Sequence, residues 1–255
     1  MLKLPWSPRR FAINRPPAYD ALRTRGGAVV RSTGYTFFSG SVNADSRRRV
    51  TWGADGNYGR SIADDGWSSE GELLLVVKPR ENLRLSIGPA YSRSVDKQQF
   101  VANIGDVTAT PFAGVRSVFA ELDQRIVQPF IANGRYGALS EYAAPRSNDV
   151  LRYGRDIGTV LEVRDPDGRL EAYQVDPDAA GPAAPFTVVN PDVNFRSLRG
   201  TAVVRWEYRP GSTLFFVWTQ ERSGSDSFGD FDFGRDRSAL VRDRPVNVFQ
   251  VKVSY

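Results

Sequence analysis

Residues 201–208 read TAVVRWEY, residues 209–212 RPGS and residues 213–220 TLFFVWTQ; this stretch decides the fold. Ala202, Val204, Trp206 and Tyr208 alternate with Thr201, Val203, Arg205 and Glu207. A tight turn follows at Arg209, Pro210, Gly211 and Ser212, after which Leu214, Phe216 and Trp218 share a face. The final segment, 247–255, repeats the pattern: Phe249, Val251, Val253 and Tyr255 oppose Val248, Gln250, Lys252 and Ser254. Side chains alternate across a strand, so one face is apolar and the other mixed or polar. Alternating segments of about ten residues, with aromatics near their ends, suit a wall with lipid on one side and water on the other.

Composition agrees with that reading and excludes others. No run of about 18 apolar residues exists, so helical membrane spans are excluded, whereas barrel strands escape such a scan because half their residues face water. The chain has no cysteine, which removes disulfides and thiolate chemistry. It also has no histidine, which removes the commonest general base and the commonest transition-metal ligand. Residues 1–50 hold ten Lys/Arg against two Asp/Glu, so the basic character of the chain sits in this part. Arg47, Arg48 and Arg49 could meet an anionic partner, but a run of charge at a turn is more often simply solvated. No nucleic-acid motif accompanies it, so nucleic acid is not an expected partner.

The N-terminus lacks the apolar stretch of a signal peptide: Met1 to Leu4 run straight into Pro5, Pro8, Arg9 and Arg10. An outer-membrane protein must be exported, so the chain is expected to be the C-terminal part of a longer precursor whose leader lies on the missing part. Residues 1–33, with Pro5, Pro8, Pro16 and Pro17, read as an irregular segment. Strands are expected at 34–44, 50–58, 72–78 and 83–92, seven membrane-type strands or fewer in all. In the last of these Leu83, Leu85, Ile87 and Tyr91 point outward, and Arg84, Ser86 and Ser92 inward. Connections at 45–49, 79–82 and 209–212 are tight, whereas 59–69 and 221–245 are longer and 93–195 is longest, which is the asymmetry of a barrel. The long stretch reads as a surface excursion with its own hairpin, 159–163 and 169–175 around Asp165, Pro166, Asp167 and Gly168.

Several motifs carry a family resemblance: 194–200 (NFRSLRG), 205–213 (RWEYRPGST), 247–255 (NVFQVKVSY), 120–124 (AELDQ), 128–131 (QPFI) and 143–146 (AAPR). From about Arg23 onward the chain resembles an uncharacterised outer-membrane β-barrel domain. That domain usually follows a family-9-like carbohydrate-binding module in long exported proteins of Gram-negative bacteria. The resemblance implies a sugar-binding module upstream, and no catalytic residues come with it. The sequence departs from the family pattern in lacking that module and the first part of the barrel. It also stops at Tyr255, where relatives tend to continue one or two residues. Between Gln124 and Gln128, where relatives carry a further strand, turn and strand, Arg125, Ile126 and Val127 join the flanks directly.

Candidate chemistry is sparse. The loop with Asp226, Asp230, Asp232 and Asp236 has the carboxylates and glycines of a calcium site, but Gly234 sits where an EF-hand needs a third carboxylate. Phe228, Phe231 and Phe233 could stack on a sugar. The plainer alternative pairs the loop acids with Arg235, Arg237, Arg242 and Arg244 at the surface. Asp64 and Asp65 with Glu70 and Glu72 would be a glycosidase pair only at a defined separation, and adjacent acids in a turn are common. Gly53, Gly56 and Gly59 lack the spacing of a phosphate loop and read as small residues of a barrel strand. Trp52, Tyr58, Tyr91, Trp206, Tyr208, Trp218 and Tyr255 form either an interfacial girdle or the core of a soluble sandwich; charges on the opposite strand face favour the girdle.

The expectation is therefore all-β: an antiparallel up-and-down barrel of outer-membrane type, here a partial barrel or curved open sheet over 34–255 with long surface loops. The expected role is non-enzymatic anchoring, display or transport in the outer membrane of a Gram-negative bacterium, linked to carbohydrate, with no cofactor or metal. Its partners would be outer-membrane lipid, carbohydrate, and the barrel assembly machinery acting on the C-terminal strand through Phe249 and Tyr255. Arg84, Arg205, Glu207 and Lys252 would face the interior. A soluble exported sandwich binding glycans through Trp67 and Phe231 is the alternative, and a carboxylate hydrolase a distant third.

Overall fold

The computed structural model describes residues 6–80, 83–128 and 130–254. In chain order the first elements are β1 (Trp6–Arg15), β2 (Tyr19–Asp20), β3 (Val30–Arg31), β4 (Tyr35–Ala44), β5 (Val50–Ser61) and β6 (Trp67–Arg80). Next come β7 (Leu83–Ile87), β8 (Ala90–Gly105), β9 (Val115–Val127), β10 (Ile131–Tyr142) and β11 (Val150–Arg152). The last are β12 (Thr159–Arg164), β13 (Leu170–Asp176), β14 (Phe186–Val189), β15 (Val193–Arg209), β16 (Ser212–Asp226), the helix α1 (Phe233–Arg242) and β17 (Val246–Ser254). One large antiparallel sheet runs β1-β4-β5-β6-β8-β9-β10-β15-β16-β17, with β7 beside β6 and β11 beside β10. Among the described residues this sheet is open: β1 is paired only with β4, and β17 only with β16.

Connections segregate as the sequence suggested. One end of the sheet carries the short links 45–49, 128–130 and 210–211; the other carries 16–34, 62–66, 106–114, 143–192 and 227–245. The expected hairpin is present as β12–β13, with β14 beside β13 in a separate three-stranded sheet.

Five expectations are corrected. Residues 1–33 are not irregular throughout, because β1 pairs with β4 from Trp6 opposite Ala44 to Arg15 opposite Tyr35. Pro8 lacks a backbone donor but sits in an edge strand, where that loss is tolerated. The excursion is shorter than 93–195, because β8, β9 and β10 all belong to the large sheet, and only 143–192 leaves it. The main path contains ten strands rather than seven or fewer. The 59–69 loop also shrinks to 62–66, and the 83–92 strand is broken at Gly88 and Pro89 into β7 and β8.

Residues directly opposite in an antiparallel pair lie on the same face, so the register sorts the side chains. A single line of opposed residues crosses the sheet from β5 to β16: Tyr58, Ser69, Arg93, Arg125, Asn133, Asn194 and Asp226. Towards the short-turn end, the same face holds Trp52 opposite Leu75, Leu75 opposite Ile87, Val204 opposite Phe216 and Phe216 opposite Val251. It also holds Ala202 opposite Trp218, and Trp218 stacked on Phe249 with ring centroids 6.3 Å apart. The opposite face carries Ser39, Asp55, Asn57, Glu70, Glu72, Ser86, Thr201, Thr219, Gln250 and Lys252, interspersed with the apolar Phe11, Ile13, Phe37, Leu74, Val76, Val203, Phe215, Val217 and Val248. Gly53 and Gly59 are buried on this polar face, where the Asn43 and Tyr35 side chains occupy the space a Cβ would take. That accounts for small residues at these two strand positions.

Among the described residues, the two packed cores lie at the long-loop end. Val118, Ala120 and Leu139 are covered from one side by Tyr173, Val175 and Val188 of the small sheet, together with Tyr153. Phe119 and Tyr142, pointing the other way, are covered by Val30 of the N-terminal segment. Their rings meet edge-on with centroids 5.0 Å apart. Arg116 lies between Asp106 and Glu141, with both carboxylates at least 86% buried; Tyr153 Oη donates to Glu141 at 2.6 Å.

The large sheet also has a step in its lower outline. The β6–β7 and β15–β16 hairpins run past the β9–β10 turn at 128–130, so β9 and β10 stop short between them. The stretch 125–127, where the flanking motifs are joined directly, is the end of β9 that stops short. Consequently β10 meets β15 over four residue pairs among the described residues, Ile131 opposite Arg196 to Gly134 opposite Val193, with one more backbone bond from the Ser197 amide to the Phe130 carbonyl.

Candidate functional site

Two features could carry function: the broad apolar face, and a polar knot just above it. The face comes from strand alternation alone. Trp52, Tyr58, Leu75, Tyr91, Trp206, Tyr208, Trp218, Phe249 and Val251 all lie on it and all are exposed, from 38% for Trp218 to 64% for Val251. The six described aromatics expected to form either a girdle or a sandwich core are therefore not a buried core. On β15 the face runs from Leu198 to Tyr208, about 33 Å at roughly 3.3 Å per residue. A strand tilted by about 40° would span about 25 Å of height, the apolar band of an outer-membrane barrel. Arg10, opposite Gly40 on this face, interrupts its apolar character, as do Arg222, Gln220 and Asn247 at the upper end, level with Leu198 and Gly200.

Of the residues expected inward, Glu207 and Lys252 stand on the polar face, and Glu207 Oε1 accepts from the Gly211 amide at 3.3 Å. The side chains of Arg84 and Arg205, and all of Tyr255, lie outside the described residues. Part of the tight connection expected at 79–82 does as well, since 79–80 belong to β6 and 81–82 are not described. Arg47, Arg48 and Arg49 lie at an exposed turn at the short-link end, as the solvated alternative has it.

Above the apolar band, the same face becomes charged and is covered by α1. Asp232 caps the helix, accepting from the Arg235 amide at 2.9 Å. Asp236 and Leu240, four residues apart on one helix face, are buried against the sheet. Asn194 of β15 donates through Nδ2 to Asp236 Oδ1 at 3.0 Å, and Arg235 Nε donates to the same oxygen at 2.9 Å. Asn133 of β10, opposite Asn194, donates through Nδ2 to the Asp230 carbonyl at 3.1 Å. Arg196 holds Asp226 at 2.5 Å and Asp243 at 2.7 Å, tying both ends of the 227–245 segment to the sheet. Beside this knot lies a pocket of about 240 Å³ lined by Asp123, Arg125, Asn133, Arg135, Asp230 and Phe231.

The acidic loop matches the surface-pairing alternative only in part: of the four arginines expected to pair, Arg235 does, and Asp236 is buried rather than at the surface. Arg235 binds Asp230 and Asp236, but Arg196 of β15, not a loop arginine, binds Asp226 and Asp243. Among the described residues no group of three or more Asp and Glu is placed to hold a metal. The loop aromatics carry guanidinium groups: Arg235 lies 4.2 Å over Phe228, Arg125 5.8 Å over Phe231, and Arg93 5.4 Å over Trp67. One ring face of Phe228, Phe231 and Trp67 is therefore occupied by a cation–π contact, whereas Phe233, the other aromatic considered for sugar stacking, opens α1 and is 45% exposed. Asp64 accepts from the Gly66 amide at 2.8 Å and Glu70 from Asn57 at 3.2 Å, which are ordinary turn and cross-strand bonds.

In the loops, burial pushes the Asp192 carboxyl above its usual value, although Tyr136 and Gly229 amides and Arg135 oppose the shift. Asp106 is also partly desolvated, yet hydrogen bonds from Thr108 and Arg116 hold it below its usual value. Sequence reasoning missed Asn133, Asn194, Arg196 and the Asp106–Arg116–Glu141 set. Asn194 and Arg196 fall inside the 194–200 motif, but nothing in it marks a role for them, because strand register and not chain proximity brings these residues together. No family model matches the chain, and neither a curated protein nor a solved structure is similar to it.

Proposed function

We propose that this chain is part of the wall of an outer-membrane β-barrel in a Gram-negative bacterium, non-enzymatic, with its long-loop end folded as a cap at the cell surface. The observation that carries the reading is the two-faced sheet. Its apolar face is exposed, aromatic-rich and about one outer-membrane thickness tall, and it ends in the polar line from Arg93 to Asp226. Water-exposed proteins do not leave apolar patches of this extent uncovered unless they meet a membrane or a partner. The small β12–β14 sheet then caps the polar side of β9 and β10, over the mouth of a lumen lined by Ser, Thr, Asp, Glu and Lys side chains with Val, Leu and Phe among them.

Within lipid every backbone group must be bonded, so β1 and β17 must pair with each other or with further strands, and the step beside β9–β10 must be filled. Anchoring, display or transport linked to carbohydrate is the role we assign to the assembled barrel, with the β17 strand offered to the assembly machinery. The sandwich alternative lacks its second layer: the small sheet covers only the β9–β10 end. Fractionation of the bacterium that makes the protein, with gel mobility compared before and after boiling, tests the proposal. Outer-membrane recovery with a mobility shift on boiling is expected. Recovery in the periplasm or medium overturns the lipid-facing assignment.

A further inference from the structure

The knot under α1 contains three oxygens that nothing in the fold satisfies. Asn133 Oδ1, Asn194 Oδ1 and Asp236 Oδ2 are each buried without a hydrogen-bond partner among the described residues. The three residues are 2%, 0% and 1% exposed. The amide orientations follow from chemistry. Asn133 must present its NH₂ to the Asp230 carbonyl, and Asn194 must present its NH₂ to the Asp236 carboxylate. Flipping either would set oxygen against oxygen, so both Oδ1 atoms are left facing elsewhere. Buried polar atoms are almost always paired, and three orphans in one hydrogen-bonded knot call for a common partner.

That partner must be a donor to acceptors only. A water molecule has two hydrogens for three oxygens. A hard cation satisfies all of them, and amide oxygens with a carboxylate are the donor set that oxygen-seeking cations take, with further carbonyls or water completing the shell. Asn133 also lines the pocket that opens beside Asp230 and Phe231, which gives an entry path.

We propose that Asn133, Asn194 and Asp236 bind a hard cation, with calcium as the ion of choice, and that the ion latches α1 and the 227–245 segment onto β10 and β15. The site lies above the apolar band and does not depend on the membrane reading. The test is calorimetric titration of the chelator-treated protein with calcium chloride, in parallel with its melting temperature. One-to-one binding with a raised melting temperature is expected. Asp236→Asn, which keeps the shape and removes the charge, should weaken binding at least tenfold. Asn133→Leu, at a site that donates only one outside bond, provides a second variant and should weaken it similarly while far-UV circular dichroism stays that of a β-sheet. No heat of binding at millimolar calcium in the unaltered protein overturns the proposal, and so does unchanged affinity in both variants.

Discussion

Leu75→Lys is the substitution that most directly tests the apolar face. Leu75 stands opposite Trp52 and Ile87 on that face, and the three are 43%, 48% and 65% exposed. It lies five residues from the end of β6 at Arg80. At about 3.3 Å per residue and a tilt of about 40°, that is roughly 13 Å up a band about 25 Å tall, its midplane. A lysine at the midplane of a barrel's lipid face costs about 2–4 kcal/mol. At about 1.4 kcal/mol per tenfold, the folded-to-unfolded ratio in a bilayer falls about 30-fold to 700-fold. Ser86→Lys is the matched control: Ser86 is adjacent to Ile87 but on the polar face, opposite Val76, and its cost should stay within about 0.5 kcal/mol. The assay is urea unfolding of both variants in phospholipid vesicles, comparing midpoints at equal slope. Equal effects of the two lysines would refute the lipid-facing assignment, because a face bathed in water distinguishes them little.

Two further outcomes concern the cap. Arg116→Met leaves Asp106 and Glu141 buried together without their cation, which costs about 3–5 kcal/mol; scanning calorimetry should show the loss, and adding Asp106→Asn and Glu141→Gln should restore most of it. Asp192→Asn keeps an acceptor for the Tyr136 amide while removing a carboxylate whose burial raises its pKa. A raised folded-state value means that ionisation costs stability, a cost absent below the unfolded value of about 3.9 and complete once pH passes the folded one. Asp192→Asn should therefore melt higher than the parent at pH 7 and no higher at pH 3, and a gain of equal size at both pH values would dismiss the burial argument.

Legibility followed exposure. Where one face is bare, as in β4, β5 and β17, alternation survives and the strands can be read to within about three residues, whereas in β15 and β16 only the lower halves are legible, β15 starting at Val193 rather than Thr201 and β16 running on to Asp226. Where β8, β9 and β10 are covered on both faces, alternation disappears: Val118, Phe119 and Ala120 are consecutive and all buried. Bulges between Asp96 and Gln99 and between Phe100 and Ala102 shift the phase again. The α1 helix announced itself only by Asp232 as a cap, against a glycine in its first turn and a polar composition. The cation knot had one visible member, Asp236; Asn133 and Asn194 are opposed only through the register of β10 and β15.

That four-pair seam also has a kinetic meaning. Along the rest of the path, neighbouring strands are joined mostly by hairpins, which close in microseconds. The β1–β10 and β15–β17 units can each zip up from their own turns, whereas their junction must wait for 143–192 to be brought together. The folding of β12–β14 shortens that tether before the junction closes, so collapse of the excursion sets when two leaves become one sheet. Amide exchange should open first along the same line, since so few cross-strand bonds hold it, and the cap rather than the wall then governs how long the molecule stays whole.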